Sequence, residues 1–491
     1  MSGALAAALE QACVRHGAAT ALSAAGSRWR YDELHARARR VATVLRAAGL
    51  RADEPVHVQV SNQPDDVAAL FGVWLAGGVA VPVHRTTPAA VASAFHVKTR
   101  ARWQLDLAPG RDPAEAIGAI ADAPPATRAL LQDAAFVIFT SGSTGAPKGV
   151  VVAHEAFRGK LAQIDALLRF EASDRTLLVL NITFSFGLWV TLLTLLAGGT
   201  LVMLPKFEPQ SFLATLAAER ITRVGMVPTM MRVLFADAAR GAAIDRVAQQ
   251  RDLRRILIGG ESLGLSLAQA IRRRFEHTAL IDIYGLTETA TCDFFGFPDD
   301  FAQYPGAIGR PSPQVVYRIA DGAGVPVEPG AVGELQIRSP FLMNGYLDEP
   351  ALTAAAHVDG WFRTGDLARE IDGTVVELMG RQKELISRAG NKVTPVEIET
   401  AASSHPDVAA AMVTGVPDAL LGEQIHLIVV PNAGARIDLA TLRAHLSTRL
   451  EKFKQPDACY LADALPQGRT GKADRGSFQA LIASGALQRM E

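Results

Sequence analysis

The sequence predicts an α/β fold with a large N-terminal domain of layered sheets and helices, which includes a β-rich subdomain, and a small α+β C-terminal domain. The first observation is a regular alternation of short apolar runs with amphipathic helical stretches over residues 31–283. Such alternation is typical of a mostly parallel sheet covered by helices. The second is a change to strands and turns at residues 314–338, and the third is a new α+β pattern that starts near residue 380.

Hydrophobic periodicity predicts the elements of the N-terminal domain one by one. Apolar residues recur at helical spacing in four segments, at residues 31–48, 64–76, 210–220 and 266–275. Short apolar runs predict strands at residues 56–60, 78–83, 177–180, 200–204, 223–227, 255–258 and 279–283. Because helices separate most of these strands, we expect parallel pairing.

The most apolar segment, residues 188–204, is predicted to be buried and not to span a membrane. At about 17 residues it is at the lower limit for crossing a bilayer. Thr191, Thr194 and the pair Gly198-Gly199 interrupt it. We expect a buried helix, a glycine turn and a short strand.

The C-terminal pattern is long enough for a small independent domain. Its predicted elements are two helices and two strands, at residues 396–404, 439–450, 408–415 and 425–430. We place the boundary after Gly380-Arg381. The predicted domains are therefore residues 1–382, with the β-rich subdomain at about 314–380, and residues 383–491.

Composition and charge exclude several classes of protein. The 491 residues include 49 Lys and Arg against 50 Asp and Glu, so the chain lacks the basic excess that neutralises nucleic-acid phosphates. Three widely separated cysteines fit neither a disulfide framework nor a structural zinc site. The N-terminal residues lack the basic and apolar regions of a secretion signal. We expect a cytoplasmic protein with no membrane span and no nucleic-acid partner.

Lysine is rare in this chain, with nine residues against 40 arginines. A lysine supplies a compact, mobile point charge that arginine does not, so each one is mildly informative. Five of the nine lie after residue 380, namely Lys383, Lys392, Lys452, Lys454 and Lys472.

The strongest motif is an apolar strand at residues 136–140 that leads into Ser141-Gly-Ser-Thr-Gly-Ala-Pro-Lys-Gly149. Glycines let backbone N–H groups approach a polyphosphate, hydroxyl groups donate to phosphate oxygens, and Lys148 adds positive charge. Gly149 follows Lys148 where nucleotide-hydrolase loops need Ser or Thr. A phosphate-loop ATPase is therefore disfavoured.

This segment resembles the phosphate loop of the adenylate-forming (AMP-binding) superfamily, which includes acyl-CoA synthetases, assembly-line adenylation domains and luciferases. Four further segments resemble the family's motifs in the same order: its adenine and magnesium segment, its ribose segment, its hinge and its catalytic-lysine loop. They are Tyr284-Gly-Leu-Thr-Glu288, residues 361–367, Gly380-Arg-Gln-Lys383 and residues 466–475. The chain resembles a free-standing acyl-CoA synthetase. A catalytically dead nucleotide-binding module is disfavoured, because Lys472, Glu288 and Asp366 are all present.

The resemblance implies an ATP site. Tyr284 ends a predicted strand where its ring can stack on a base, and Asp366, in a tight Thr364-Gly365-Asp366 turn, can accept both ribose hydroxyls. Arg381 can reach ribose or phosphate. The implied nucleotide-binding residues are Thr140, Ser141, Gly142, Ser143, Thr144, Gly145, Lys148, Gly260, Glu261, Asp282, Tyr284, Gly285, Asp366 and Arg381.

The resemblance also implies the catalytic residues Lys472, Thr287 and Glu288. A substrate carboxylate and the α-phosphate repel each other, and the Lys472 amine between them would offset that repulsion. A carboxylate beside a triphosphate is repelled unless a metal intervenes, so Glu288 is expected to bind Mg²⁺ together with Thr144.

The implied reaction has two halves. A carboxylate attacks the α-phosphorus of ATP, pyrophosphate leaves, and an acyl-adenylate results; a thiol then attacks the acyl carbonyl and AMP departs. In the family the C-terminal domain rotates between the halves, and Lys383 occupies the position of the hinge. The residues implied on the thiol side are Arg388, Gly390, Lys452 and Lys454, of which Gly390 lies in the loop of residues 387–392.

The predicted acyl pocket is apolar and consists of Phe184, Ser185, Gly187, Val227 and Leu286. Ser185 lies where amino-acid-activating relatives place an aspartate for the α-ammonium group. Without that carboxylate an amino acid is disfavoured, and we expect an aliphatic or aromatic carboxylic acid.

CoA is the expected thiol, because Lys452-Phe-Lys-Gln-Pro456 resembles a segment of free-standing CoA ligases. Residues 363–369 and 471–475 instead resemble assembly-line adenylation domains. The alternative is therefore an enzyme that loads the phosphopantetheine thiol of a separate acyl carrier protein. The expected small molecules are the carboxylic acid, ATP, Mg²⁺ and CoA.

Overall fold

The structure is a computed structural model that describes residues 3–123, 125–140, 147–432, 434–468 and 473–491. The predicted phosphate-loop residues Ser141, Gly142, Ser143, Thr144 and Gly145 lie outside the described residues, and so does Lys472.

Helices cover the sheets along the whole chain. The α-helices are α1 (Ala4–His16), α2 (Tyr31–Ala47), α3 (Pro64–Ala76), α4 (Ala89–Thr99), α5 (Pro113–Ala116), α6 (His154–Leu168), α7 (Ser185–Leu196), α8 (Pro209–Ala218), α9 (Pro228–Phe235), α10 (Gly241–Gln249), α11 (Leu265–Arg274), α12 (Pro298–Gln303), α13 (Pro350–Ala355), α14 (Pro395–Ser403), α15 (Leu439–Ser447) and α16 (Arg475–Ala483). Short 3₁₀ turns lie at Ala129–Leu131, Ala238–Arg240, Thr287–Thr289, Gln382–Glu384 and Lys452–Lys454.

Within the described residues, the strands form four sheets. They are β1 (Thr20–Ala24), β2 (Ser27–Arg30), β3 (Pro55–Val60), β4 (Val79–His84), β5 (Trp103–Leu105), β6 (Ile117–Ala119), β7 (Ala134–Thr140), β8 (Lys148–Ala153), β9 (Arg175–Leu178), β10 (Thr200–Met203), β11 (Arg223–Met226), β12 (Arg255–Gly259), β13 (Ala279–Tyr284), β14 (Phe294–Gly296), β15 (Arg310–Pro311), β16 (Val316–Ala320), β17 (Gly333–Arg338), β18 (Gly345–Tyr346), β19 (His357–Val358), β20 (Trp361–Ile371), β21 (Val375–Arg381), β22 (Ile386–Arg388), β23 (Asn391–Val393), β24 (Val408–Asp418), β25 (Gly422–Pro431), β26 (Ala458–Leu461) and β27 (Gln488–Arg489).

The largest sheet has nine strands in the order β15-β14-β13-β12-β11-β9-β10-β1-β2. The run from β13 to β1 is parallel, as the alternation predicts, and antiparallel strands lie at both edges. Because β12 and β13 are parallel neighbours, their carboxyl ends meet at one edge. Gly260 and Tyr284 are therefore brought side by side.

A second sheet of seven strands has the order β18-β8-β7-β4-β3-β5-β6. Its strands β7 and β8 form an antiparallel pair in which Thr140 is the register partner of Lys148. The two ends of the predicted phosphate loop therefore lie opposite each other. The short strand β18 adds Tyr346 beside Val150 at the edge of this sheet.

Two smaller sheets follow. A five-stranded antiparallel sheet contains β16, β17, β19, β20 and β21, and a six-stranded sheet contains β22 to β27. The second packs with α14 and α15 around a core of its own that includes Ile398, Leu427 and Leu442. The layered α/β class with a small C-terminal unit is confirmed, while the exact domain boundaries stay a prediction.

The apolar segment at residues 188–204 has the predicted form. It continues α7, turns at Gly198 with φ of +85°, and forms β10. Among the described residues, no helix is both long and apolar enough to cross a bilayer.

Two local predictions were wrong. Residues Thr364-Gly365-Asp366 do not form a separate tight turn, because they lie inside β20, where Gly365 has φ of +71° and donates its N–H to Glu334 Oε1 at 3.2 Å. Residues 387–392 are not an open loop, because β22 and β23 pair there as a hairpin. Its two central residues, Ala389 and Gly390, both have positive φ, as a tight hairpin turn of this kind requires.

Candidate active site

Three of the predicted nucleotide-binding residues contact one another at the end of β13. The Tyr284 hydroxyl donates to Asp366 Oδ2 at 2.6 Å, and Arg381 Nε lies 2.8 Å from Asp366 Oδ1. Asp366 and Arg381 are register partners on β20 and β21, so the sheet itself holds the ion pair. Burial raises the pKa of Asp366, and the Arg381 charge opposes that shift. Both carboxylate oxygens of Asp366 thus have a partner. In the predicted ribose site, the ribose hydroxyls would bind beside Tyr284 and Arg381 or displace them from these oxygens.

Thr287 and Glu288 lie in a 3₁₀ turn three residues after Tyr284. The Tyr346 hydroxyl donates to Glu288 Oε1 at 3.0 Å, and the backbone N–H of Met343 donates to the Glu288 carbonyl at 2.8 Å. Lys148 Nζ lies 5.3 Å from the centre of the Tyr346 ring. Lys148, at the start of β8, therefore lies next to the 3₁₀ turn that contains Glu288, the predicted metal ligand.

The chemistry of Glu288 fits a Mg²⁺ site. Hard cations bind carboxylate oxygens, and an anchored carboxylate loses less freedom on binding. Tyr346 and Met343 anchor Glu288 by its side chain and its backbone. Thr144, the other predicted ligand, lies outside the described residues.

Asp282 and Gly285 lie on either side of Tyr284 in the sequence, and both are constrained by their surroundings. Asp282 is 8% exposed, and burial raises its pKa to about 7. The Ile283 N–H donates to its Oδ1 at 3.0 Å. A side chain at Gly285 would meet the backbone N of Cys292 at 2.2 Å, so only glycine allows the chain to fold back here.

Gly260 and Glu261 follow β12 on the neighbouring strand end. Gly260 is exposed and has φ of +84°, which fits a backbone that a flat ring can approach. Glu261 accepts hydrogen bonds from Thr229 Oγ1 at 2.8 Å and Arg232 Nη1 at 3.3 Å. Both bonds go to Oε2 and come from two side chains of α9 that the sequence analysis did not single out, while the buried Oε1 has no hydrogen-bond partner among the described residues.

The predicted acyl residues have different surroundings in the structure. Ser185 Oγ lies 3.5 Å from Thr287 Oγ1, so the start of α7 lies beside the 3₁₀ turn of the predicted catalytic residues Thr287 and Glu288. Val227 and Leu286 belong to one apolar cluster together with Phe186 and Met230. Phe184 is the half-buried N-cap residue of α7.

Gly187, another predicted acyl-pocket residue, lies in a tightly packed position. A side chain there would lie 2.5 Å from the Asn181 carbonyl oxygen. Close packing of α7 on the preceding loop therefore accounts for this glycine.

The predicted hinge, Lys383, lies in the 3₁₀ turn that directly follows β21. Burial lowers its pKa, and the nearby Arg381 charge lowers it further. The next residue, Glu384, pairs with Arg475 Nε at 3.3 Å, and Arg475 Nη2 also pairs with Glu399 at 2.8 Å. Arg475 thus connects the start of α16, three residues after Lys472, to the turn that contains the predicted hinge.

One hydrogen bond links the two segments that contain the predicted thiol-side residues. Arg388 Nη1 donates to the Phe453 carbonyl at 2.6 Å, which joins the hairpin containing Gly390 to the turn containing Lys452 and Lys454. Lys454 already pairs with Glu397 at 2.6 Å and Glu451 at 2.9 Å. Lys452 is exposed.

Several residues of the site escaped the sequence analysis. Thr229, Arg232, Tyr346 and Glu399 have no pattern of their own, since only the fold brings them to the motifs. Arg475 ends the motif of residues 466–475, but its pairing with Glu384 and Glu399 could not be predicted from that motif. The burial of Lys160 could have been predicted from the sequence. In a chain with few lysines, it occupies a position on the apolar face of a helix beside Phe157, Leu161 and Ile164.

Comparison with known families agrees with this geometry. Residues 9–347 match the model of the AMP-binding enzymes, and residues 397–472 match that of the AMP-binding enzyme C-terminal domain. The chain belongs to the AMP-binding enzymes. The resemblance inferred from the motifs is therefore confirmed.

Similar proteins narrow the class. The chain is 33% identical to a feruloyl-CoA synthase of Amycolatopsis sp, covering 94% of this chain and 95% of that one, and 30% identical to an indoleacetate–CoA ligase of Aromatoleum aromaticum, covering 92% and 93%. ATP-bound MatB from Rhodopseudomonas palustris superposes with a TM-score of 0.84 at 27% identity over 96% of this chain and 98% of that one. The predicted enzyme class, an AMP-forming acid–thiol ligase of the acyl-CoA synthetase type, is confirmed.

Proposed function

We propose that the chain activates an apolar carboxylic acid with Mg-ATP, as an acyl-adenylate, and transfers the acyl group to CoA. The observation that carries this proposal is the grouping of Asp366, Tyr284 and Arg381 at the strand end that continues into Thr287 and Glu288. Tyr284, which contacts the predicted ribose residue Asp366, and the predicted catalytic residues Thr287 and Glu288 thus lie on one short segment, which supports the proposal. The named activities of the relatives support CoA as the acceptor and an aromatic acid as the first substrate to test.

Binding of the nucleotide would use both sides of this segment. Asp366 and Arg381 would contact the ribose, Tyr284 would stack on the adenine, and Asp282 would contact the adenine amino group. The phosphates would be bound by the predicted phosphate-loop residues, from Thr140 to Lys148, including Ser141, Gly142, Ser143 and Gly145. Glu288 and Thr144 would hold Mg²⁺, which when bound would neutralise phosphate charge.

In the first half-reaction a carboxylate oxygen of the acid forms a bond to the α-phosphorus. The bond to the bridging oxygen breaks, and its electron pair leaves with pyrophosphate. Lys472 would lie between the two anions, and Thr287 would donate to the reacting carboxylate. No side chain needs to abstract a proton, because the acid is already ionised at neutral pH.

The acid would enter between α7 and the turn that contains Thr287 and Glu288. Ser185 offers a hydroxyl and no charge, while Val227, Leu286 and Phe186 offer apolar surface. An α-ammonium group would be desolvated there without a carboxylate partner, which disfavours amino acids. A planar aromatic or extended aliphatic acid fits this chemistry.

In the second half-reaction the thiolate of CoA attacks the acyl carbonyl, and AMP leaves. Lys383 would be the pivot that brings Arg388 and Gly390 to the site. Because Lys454 is occupied by two carboxylates, we assign contact with the CoA phosphates mainly to the exposed Lys452.

The test is pyrophosphate–ATP exchange over a panel of aromatic, aliphatic, dicarboxylic and amino acids. Thioester formation is then measured with CoA and, separately, with a phosphopantetheinylated carrier protein. We expect exchange with an apolar monocarboxylate and thioester on CoA. Exchange with no acid would reject adenylation, and thioester on the carrier protein alone would replace CoA by the alternative acceptor.

A further inference from the structure

Lys160 of α6 and Asp293 form an ion pair with 2.8 Å between Nζ and Oδ1 and with both side chains fully buried. Taking two charges out of water is costly, so such a pair is weak evidence for stability and calls for another explanation. Lys160 cannot touch a bound substrate while it is enclosed. Its partner, however, ends the segment that begins at Tyr284.

The backbone of this segment is strained. Ala290, Thr291 and Cys292 have φ values of +54°, +76° and +49°, a left-handed conformation that is unfavourable for each and worst for the β-branched threonine. Consecutive left-handed residues persist only where the surroundings impose them. Gly285, packed against the Cys292 backbone, is one such constraint.

Asp293 ties the two ends of the strained segment together. Its carboxylate accepts from Lys160 and, through Oδ2, from the Thr289 hydroxyl. Its backbone N–H donates to the Tyr284 carbonyl at 2.7 Å. The segment is therefore closed at Asp293, with Thr287 and Glu288 inside the closed part.

Residues 341–346 contact the segment 284–293 as well. The Phe341 ring lies 5.7 Å from Lys160 Nζ, and a side chain at Gly159 would meet that ring at 2.5 Å. Two residues further, Met343 donates to the Glu288 carbonyl, and Tyr346 donates to its side chain. Lys160 thus contacts both pieces of chain that orient Glu288.

We propose that Lys160 and Asp293 are positioning residues for adenylation: the buried pair holds the segment 284–293 in its strained form, with Tyr284 and Glu288 directed at Mg-ATP. This inference rests on the proposed function for its chemistry. Its test is chosen to be independent of the acid and the acceptor.

The main experiment compares two double variants. Lys160→Met/Asp293→Asn removes the pair, and Arg223→Met/Asp174→Asn removes a control pair that is equally close and nearly as buried, at 2.9 Å with 3% and 2% exposure. Calorimetry measures the Kd for Mg-ATP, and pyrophosphate exchange measures kcat and KM. We expect the first variant to bind Mg-ATP at least tenfold more weakly and to require more Mg²⁺, with the control within twofold of wild type.

A milder pair of variants decides the matter if the double variant does not fold. Thr289→Val removes only the hydroxyl that donates to Asp293, and Thr176→Val is the control, because Thr176 is equally buried and its hydroxyl has no partner among the described residues. We expect a severalfold rise in the Kd for Mg-ATP for Thr289→Val alone.

Folded Lys160→Met/Asp293→Asn protein with wild-type Kd, or Thr289→Val that behaves like Thr176→Val, would overturn the positioning role. Equal weakening in both double variants would also overturn it, because a general loss of stability would then suffice. If wild type exchanges pyrophosphate with no acid, the proposed function fails, while the calorimetric comparison still decides this inference.

Discussion

At the scale of single residues, burial shifts the pKa of Asp282 into the neutral range. It lies at the end of β13, beside the predicted adenine site, and burial raises its pKa to about 7. A protonated carboxyl can both donate and accept a hydrogen bond, whereas the carboxylate only accepts. Near neutral pH this side chain is therefore poised between the two forms.

This shift predicts a pH-dependent stability. An unfolded Asp titrates near pH 3.9, so between about pH 4 and pH 7 the folded chain holds one more proton here than the unfolded chain. The free energy of unfolding must then fall as pH rises through that window. We expect Asp282→Asn, which cannot ionise, to gain on the order of 2 kcal/mol relative to wild type between pH 5 and pH 8. Urea unfolding at the two pH values measures it, and parallel profiles would refute the raised pKa.

Asp366 is the residue on which the ribose assignment depends. We expect Asp366→Asn to raise KM for ATP by about 10- to 100-fold, because a charge-assisted hydrogen bond contributes about 1.5–3 kcal/mol. The ATP dependence of pyrophosphate exchange measures this effect. Asp372→Asn is the matched control, since Asp372 lies in the turn at the opposite end of the same β20–β21 hairpin. Similar KM values for both variants would contradict the assignment.

Among the elements, the β22–β23 hairpin is the best candidate for a part that acts in one half-reaction only. It is held to the Lys452–Lys454 turn by Arg388, which donates to the Phe453 carbonyl and pairs with Asp457. Arg388 is thus a structural brace as well as a predicted thiol-side residue. Removing it should loosen the hairpin without touching the nucleotide cluster.

For Arg388→Met we expect adenylation within about twofold of wild type and thioester formation reduced at least tenfold, a loss of about 1.4 kcal/mol or more in transition-state stabilisation. Pyrophosphate exchange and acyl-CoA release are measured on the same preparation. Arg436→Met serves as the control, because Arg436 is an exposed arginine of the same sheet unit. Equal losses in both half-reactions would show that the brace is needed for folding rather than for transfer.

On the scale of the whole molecule, the C-terminal unit contacts the large sheet through specific groups. Ser266 of α11 donates to the Ser403 carbonyl of α14 at 2.6 Å. Burial lowers the pKa of Arg232, and both Glu261 and Glu399 oppose that shift, so carboxylates from the two units lie near one guanidinium. Arg475 holds Glu399 and Glu384 together. The C-terminal unit is thus connected through charged side chains to Glu261, at the strand end where the adenine is predicted to bind.

Because Lys472 is assigned to the first half-reaction only, Lys472→Ala should affect the two half-reactions differently. We expect adenylation to fall by about 10²-fold or more, because an isolated cation near developing charge is worth several kcal/mol. Thioester formation from supplied acyl-adenylate should stay within a few fold. Single-turnover assays separate the two steps, and Arg436→Ala, at an exposed cation of the C-terminal unit, is the control. Equal loss in both steps would reject a role confined to the first.

Sequence reasoning succeeded where a local pattern carries the information. Helical spacing predicted α3 at residues 64–76, and parallel strands of the large sheet follow from their alternation with helices. It failed at Gly365, because glycine with a positive φ occurs in strand irregularities as well as in turns. It also failed at residues 387–392, where Ala389 and Gly390 were not recognised as the turn of a β-hairpin. At Gly365 the pairing of β20 with the distant strand β17 decided the outcome, whereas at residues 387–392 the two arms of the hairpin pair with each other.

The sequence by itself determined the fold class, the family and the order of the nucleotide-binding motifs, because glycine spacing, hydrophobic period and short polar segments are local properties of the chain. Only the tertiary structure decided which side chains orient those motifs. Lys160 and Asp293 are 133 residues apart, and Tyr284 and Asp366 are 82 apart. The energy of such contacts depends on burial and distance, which arise only when the sheets and helices pack.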